Sequence, residues 1–424
     1  TQEVEILTLE DCLRIGIDNN LSLEGKRKEI QKSKYGVSEN RSKLLPQINA
    51  IAGYNNNFDP PVSVTDGSSY GVPYNITKTL QHSANAGLEM QMPLFNQTLY
   101  TSMSIAKVME EISRLSYGKA REDVILQISK MYYLGQVTAE QIMLIKANIT
   151  RLEELRDITQ AFFDNGMSME VDLKRVNINL ENLKVQHDNA QAMMKQQLNM
   201  LKYIMDYPAE KEIALTPVNT DSITTVALTG LSENIYELQL SQSQVQLAER
   251  QKKIITNGYI PSLSLTGSWR YAAYTDKGYH WFHSGPSNQW FRSYGVGLTL
   301  RIPIFDGLDK TYKIKKAMID IENKRLAWED ARKNLQTQYL NAVNDLMNNQ
   351  RNFKKQKDNY LLAEDVYAVT SDRYREGIAS MTEVLQDEMQ MSEAQNNYIS
   401  AHYNYRVTNL MLLKLTGQIE SLVK

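Results

Sequence analysis

The chain has 424 residues, a formal net charge of -2, and only 20 glycines and 10 prolines. Basic and acidic residues are interleaved rather than clustered, which gives no support to nucleic-acid binding. Cys12 is the sole cysteine, so an intrachain disulfide and a cysteine-based metal site are both excluded. No apolar run approaches the roughly 20 residues of a spanning helix, and Thr1 opens no signal-peptide pattern; a chain that meets a membrane with this sequence would arrive processed and cross as strands.

Prolines are absent between Pro93 and Pro208 and from Pro303 to the end, stretches of 114 and 121 residues rich in Leu, Met, Lys, Glu, Gln and Asn, which predicts unusually long helices. In chain order, residues 1–46 read as one helix. Thr8-Leu-Glu-Asp11 opens it as a capping box and Pro46 ends it, with Leu13, Ile17, Leu21, Ile30, Val37 and Leu44 at helical spacing. Residues 47–92 switch to a period of two. Ile48, Ala50, Ala52 and Tyr54 alternate with polar residues or glycine, a polar Asn/Pro/Gly/Ser segment follows, and Ala84, Ala86, Leu88, Met90 and Met92 alternate again, the pattern of a strand hairpin with a long loop. Residues 93–206 form a long helix, a tip at Asn165-Gly166 and a returning helix ended by Tyr207-Pro208, and 207–232 form a connector.

The order then repeats. Residues 233–260 are a helix. Residues 261–302 are a second strand hairpin, with Leu263, Leu265, Gly267, Trp269 and Tyr271, then Tyr294, Val296, Leu298, Leu300 and Ile302, on one face and an aromatic loop between. Residues 303–424 are a long helix, a tip at Gly377, a returning helix and a C-terminal segment. Ile260-Pro261 answers Leu45-Pro46 at a spacing of 215, Pro303 answers Pro93 at 210, and Tyr374 answers Phe163 at 211, so the chain is an internal duplication. Four strands with one apolar and one polar face, flanked by Trp269, Tyr271 and Tyr294, fit a membrane barrel with a wet lumen. Four strands cannot close a barrel and an open edge in lipid is costly, so several chains must complete one.

In this order and duplication the sequence resembles the TolC-type outer-membrane efflux family. The likeness is carried by Leu7-Thr-Leu-Glu-Asp-Cys-Leu13 with Asn19-Asn20, the Leu44-Leu-Pro-Gln47 helix end, the two Pro-x-Phe strand exits, and the tips Gly166 to Asp172 and Gly377 to Leu385. The resemblance implies an α+β membrane protein. A homotrimer would form a twelve-stranded β-barrel, four strands from each chain, in outer-membrane lipid, continued by a long α-helical coiled-coil barrel in the periplasm. It also implies no enzyme activity and no cofactor. The implied function is that of a passive exit duct of a tripartite efflux pump exporting small molecules such as drugs, working with a periplasmic adaptor (membrane-fusion protein) and an inner-membrane transporter. Type I protein secretion is the alternative within the family, and a soluble long-helix interaction scaffold the alternative outside it.

Residue by residue, the family's acidic constriction falls on Glu383 and on Gln386, where an amide replaces the acid, and its closed-state link falls on Tyr374 and Asp172. Ala379 stands where the family's linking arginine would be. The outside of the tips, at Asn165, Gly166, Met167 and Glu376, Gly377, Ile378, is the expected docking surface for an adaptor hairpin. Glu383 has a second reading, because Ser380-Met-Thr-Glu383 fits a capping box. His280 and His283, three apart with no third ligand nearby, read as surface residues rather than a metal site. The 18 methionines suit helix packing better than the handling of a soft metal ion.

Overall fold

A computed structural model describes residues 4–218, 230–276 and 290–423. His280, His283 and part of the connector therefore lie outside the described residues. In chain order the elements are β1 (Glu5–Leu7), α1 (Leu9–Asn19), α2 (Leu21–Ser42), β2 (Gln47–Asn56), β3 (Val62–Asp66), β4 (Tyr74–Lys78), β5 (His82–Phe95), α3 (Gln97–Asp164), α4 (Glu170–Met205), β6 (Ile213–Leu215), α5 (Tyr236–Asn257), β7 (Ser262–Thr275), β8 (Trp290–Arg301), α6 (Asp309–Arg375) and α7 (Met381–Leu415). The duplication holds element by element. Helices α2 and α5 both have 22 residues, α3 and α6 have 68 and 67, and α4 and α7 have 36 and 35.

The chain divides into two compact units. One comprises residues 31–111 and 243–324, the other 1–30, 112–242 and 325–424. The first is built on a four-stranded antiparallel sheet in the order β2-β5-β7-β8. Its register carries the sequence alternation across all four strands. Ile48, Met90, Gly267 and Val296 stand in one row and Ala50, Leu88, Trp269 and Tyr294 in the next, all on one face. On the other face Asn49, Glu89, Ser268 and Gly295 align, and Arg270 pairs with Glu89. Tyr294, Val296, Leu298 and Leu300 are all exposed. Strands β2 and β8 each pair on one side only among the described residues, so the sheet has two open edges. The segment expected as a polar loop also contains the short hairpin β3–β4, in which Val62, Val64, Ile76 and Tyr74 share a face.

The expected first helix is two helices. Asn20 interrupts it with ψ 118: its side-chain oxygen accepts from Leu23 N at 3.1 Å, and its amide donates to Ile204 O at 2.7 Å. One asparagine thereby ends α1, starts α2 and ties both to α4. The Thr8 capping box is present as expected. Within the connector, β6 pairs in parallel with β1, a contact between three-residue strands more than 200 positions apart. Gly118 sits mid-helix because a Cβ there would lie 2.4 Å from the Tyr236 ring.

The helices of this second unit pack with heptad regularity. Helix α6 turns Tyr339, Leu346, Phe353, Tyr360, Tyr367 and Tyr374 inward at every seventh position. Helix α7 answers with Val384, Met391, Tyr398, Tyr405 and Leu412, and the Phe353 ring stacks on Tyr398 and Tyr405 at 5.8 Å each. A second buried row on α7 is polar, Glu388, Gln395, His402 and Asn409, and the C-cap Thr416 continues it. Gln395 exchanges amide hydrogen bonds with Asn148 of α3, one at 2.7 Å and the other at 3.4 Å. Glu388 Oε1 has no hydrogen-bond partner among the described residues, and burial pushes its carboxyl up to about 7 from 4.5. Between those two values the folded chain holds a proton that the unfolded chain has lost, so stability falls as pH climbs through the window and levels off above it. Glu388→Gln is expected to flatten that slope and to raise heat stability at pH 7.5. An unchanged melting profile from pH 5 to 8 in the variant and the parent alike would refute this assignment.

Candidate functional site

Helices α3 and α6 end in the same motif. Gly166 has φ 72 and Gly377 φ 76, the left-handed conformation that closes a helix. Gly166 N donates to Phe163 O at 2.9 Å and Met167 N to Phe162 O at 2.8 Å. Gly377 N donates to Tyr374 O at 2.9 Å and Ile378 N to Arg373 O at 2.8 Å. The duplication thus extends to individual hydrogen bonds. The two tips line one hollow that includes Met167, Asp172, Arg175, Tyr374, Gly377 and Thr382. Met167, Met169 and Ile378 are exposed apolar side chains, which water does not favour at a free surface.

The helices that leave the tips start differently. Helix α4 has Met169 at its N-cap with no side-chain hydrogen bond, whereas α7 has a reciprocal box. Ser380 N donates to Glu383 Oε2 at 2.9 Å, and Glu383 N donates to Ser380 Oγ at 3.3 Å. The capping reading of Glu383 is therefore realised. The residue remains exposed and its second carboxylate oxygen accepts no bond among the described residues. Gln386, one turn further, is also exposed.

Tyr374 and Asp172 both line the hollow but bond elsewhere. The Tyr374 hydroxyl donates to Thr159 Oγ1 at 3.2 Å, and its ring lies 5.7 Å from that of Phe162. Asp172 accepts from Arg175 Nη1 at 3.0 Å, and the same nitrogen is 3.5 Å from Thr382 Oγ1 of α7. Although residue 379 is alanine, an arginine thus reaches from one tip hairpin to the other, contributed by α4. Arg175 and Thr159 escape the sequence comparison. Arg175 could have been found from its place three residues after an aspartate on a helix, but Thr159 carries no such signal. Above the tips, Arg151 pairs with Glu364, and Arg375 lies 3.4 Å from Glu154.

Comparison with known proteins agrees with this architecture. The family model described as outer membrane efflux protein matches residues 15–205 and again 227–418, one match for each half of the duplication. The chain is 21% identical to the outer membrane protein TolC of Vibrio cholerae, covering 90% of this chain and 84% of that protein. It is 19% identical to TolC of Escherichia coli, covering 90% and 76%. Among solved structures, the outer-membrane channel OprN superposes with a TM-score of 0.78 at 14% identity, covering 96% of this chain and 89% of that one. The open-state Neisseria gonorrhoeae MtrE channel gives 0.76 at 17%, covering 96% and 88%.

Proposed function

The chain belongs to the outer membrane efflux protein family, and from that premise we propose how its own residues serve an efflux duct. As a family member it is an outer-membrane channel, three copies of which supply four strands each to one barrel. The observation that carries the reading here is the four-stranded sheet, apolar on one face and polar on the other, with both edges open. Closing those edges in lipid satisfies backbone groups worth several kcal/mol each.

In our reading the two tips form the inner mouth. Exposed Met167, Met169 and Ile378 offer an apolar surface to a periplasmic adaptor, and an inner-membrane transporter behind it selects the small molecules exported. Arg175, bonded to Asp172 and close to Thr382, holds the two tip hairpins together in the shut state. Three Glu383 carboxylates about one axis form an acidic ring. At a separation of about 6 Å each pair would repel by roughly 0.7 kcal/mol in water, and more in a narrower, less polar mouth.

Glutamine also serves in a capping box, so Glu383→Gln removes the charge while keeping the helix start. The variant is expected to fold and assemble like the parent. In planar-bilayer recordings it should show a reversal potential shifted away from cation preference and weaker block by divalent cations. An unchanged reversal potential together with unchanged block would remove Glu383 from the mouth. Export itself is tested by restoring small-molecule resistance to cells that lack the channel. Failure of the wild-type chain to restore it alongside its own adaptor and transporter would overturn the efflux reading.

A further inference from the structure

Two arginines of the sheet have opposite surroundings. Arg270 lies on the polar face and pairs with Glu89. Arg292 lies on the apolar face, opposite Tyr271 of β7, with no carboxylate partner among the described residues. Of the side chains that β2, β5, β7 and β8 turn to that face, Arg292 alone carries a fixed charge. Residues 277–289, which join β7 to β8, contain no Asp or Glu, and Asp276, just past β7, accepts from Gln81 N at 2.8 Å. Symmetric copies turn the same four strands to lipid, so a neighbour's strands bring no acid to the face either. Aromatic rings surround the charge instead. The guanidinium carbon lies 5.8 Å from the centre of the Tyr294 ring. Trp290 and Tyr294 flank Arg292 on the same side of β8, and Trp269, opposite Tyr294, meets the Tyr271 ring edge-on at 5.8 Å. A ring face attracts a guanidinium but offers its five N–H donors no acceptor oxygen.

Strands β7 and β8 meet the helical connections at Ser262 and Arg301, so Arg292 stands toward the far end of the sheet. Four residues separate it from Val296, roughly 13 Å along the strand and roughly 10 Å in height at the tilt of a barrel strand. That places it close to the rim of an apolar band about 25 Å tall, where a lipid-facing arginine costs far less than at the midplane. Lipid phosphates lie at the same height. We propose that Arg292 holds the phosphate of an anionic lipid in the outer leaflet. The phosphate accepts two parallel N–H bonds from the guanidinium fork, which the Tyr294 ring supports from one face. Ala52 and Ala86 complete the row of Tyr271 and Arg292, and their small side chains leave the surface low beside Tyr271, with room for a headgroup. The acyl chains then run along the apolar rows of Val296 and Leu298.

This inference rests on the channel reading, in which the apolar face meets lipid, and its test lets the two fail separately. The full chain is reconstituted in bilayers that mix phosphatidylcholine with phosphatidic acid, one or the other carrying bromine on its acyl chains. Trp269 and Trp290 stand on the apolar face beside Arg292, so bromine quenching of their fluorescence reads which lipid occupies the site. The parent is expected to prefer phosphatidic acid about fivefold, and Arg292→Gln to bind the two lipids equally. Arg301→Gln, which removes the same charge from the polar face, is expected to keep the preference. Quenching without preference in the parent, or equal loss in both variants, would overturn the site while leaving the channel reading intact. Loss of the preference on adding inorganic phosphate at constant ionic strength would assign Arg292 to a free anion and overturn the lipid occupant. Absence of quenching by either brominated lipid would mean that the face does not meet lipid, and the channel reading would fall with the site.

Discussion

Arginine at position 296 is expected to abolish most recovery of the chain as an outer-membrane trimer, whereas arginine at position 299 of the same strand is expected to be tolerated. Val296 and Thr299 are three residues apart and therefore point to opposite faces of β8. Val296 stands between Tyr294 and Leu298 on the apolar face and is 79% exposed in the single chain. Arginine on a lipid-facing strand position costs about 2–4 kcal/mol near the bilayer midplane. Three symmetric copies carry the substitution, so the barrel bears roughly three times that cost. Thr299 shares the opposite face with Arg301 and with the paired Arg270 and Glu89, where another cation meets water. The measurement is the fraction of chain in the outer-membrane fraction that migrates as a heat-sensitive trimer. Equal recovery of both variants would mean that the apolar face of the sheet does not meet lipid.

That contrast can be framed from sequence because strand periodicity is a local property. Alternation from Ala84 to Met92 and from Tyr294 to Ile302 assigns every side chain to a face, and one register error would have reversed it. The duplication is similarly legible, since proline and glycine punctuate chains in ways that survive divergence, as in the matching hydrogen bonds around Gly166 and Gly377. The elements missed have no such local signature. Asn20 breaks a helix through bonds to Leu23 and Ile204 with neither proline nor glycine to announce it. Strands β1 and β6 have three residues each and exist only through each other.

At the tip, sequence comparison named Tyr374, Asp172 and Glu383, and the capping box of Glu383 is realised, but the bonding of Tyr374 and Asp172 was not legible. Tyr374 finds Thr159, 215 positions away, and Asp172 finds Arg175 on its own helix. Hydrogen bonds between helices depend on rotation about each axis by a few tens of degrees. A motif aligned one residue at a time does not specify that rotation. The buried polar row of α7 is a related case. A period of seven from Glu388 to Thr416 is present in the sequence, yet Glu, Gln, His and Asn are residue types that mostly lie at surfaces, and only packing reveals the row as a seam.

Within that seam the largest loss of helical-unit stability is expected from removing Glu140. Its Oε1 accepts from the Tyr398 hydroxyl at 2.9 Å, and its Oε2 lies 3.4 Å from His402 Nδ1. On the far side of the imidazole, Arg406 Nε donates to His402 Nε2 at 2.9 Å, and the guanidinium lies over the Tyr133 ring at 4.8 Å. Because Arg406 can only donate, Nε2 accepts and the ring proton resides on Nδ1, facing Glu140. Glu140 Oε2 and His402 Nδ1 make no hydrogen bond among the described residues, so the buried positive charge of Arg406 is balanced by the nearby Glu140 carboxylate across the imidazole rather than through a hydrogen-bonded relay. Glu140→Leu leaves the guanidinium buried without that balance. Breaking such an arrangement from one side costs about 3–5 kcal/mol, while replacing both charges by apolar groups is often close to neutral. Glu140→Leu alone and Arg406→Met alone are each expected to lower the temperature at which the trimer dissociates in detergent, and Glu140→Leu/Arg406→Met is expected to recover most of the loss. The double-mutant cycle isolates the coupling across His402. Additive losses in the double variant would show that the two charges act independently and that the imidazole does not connect them.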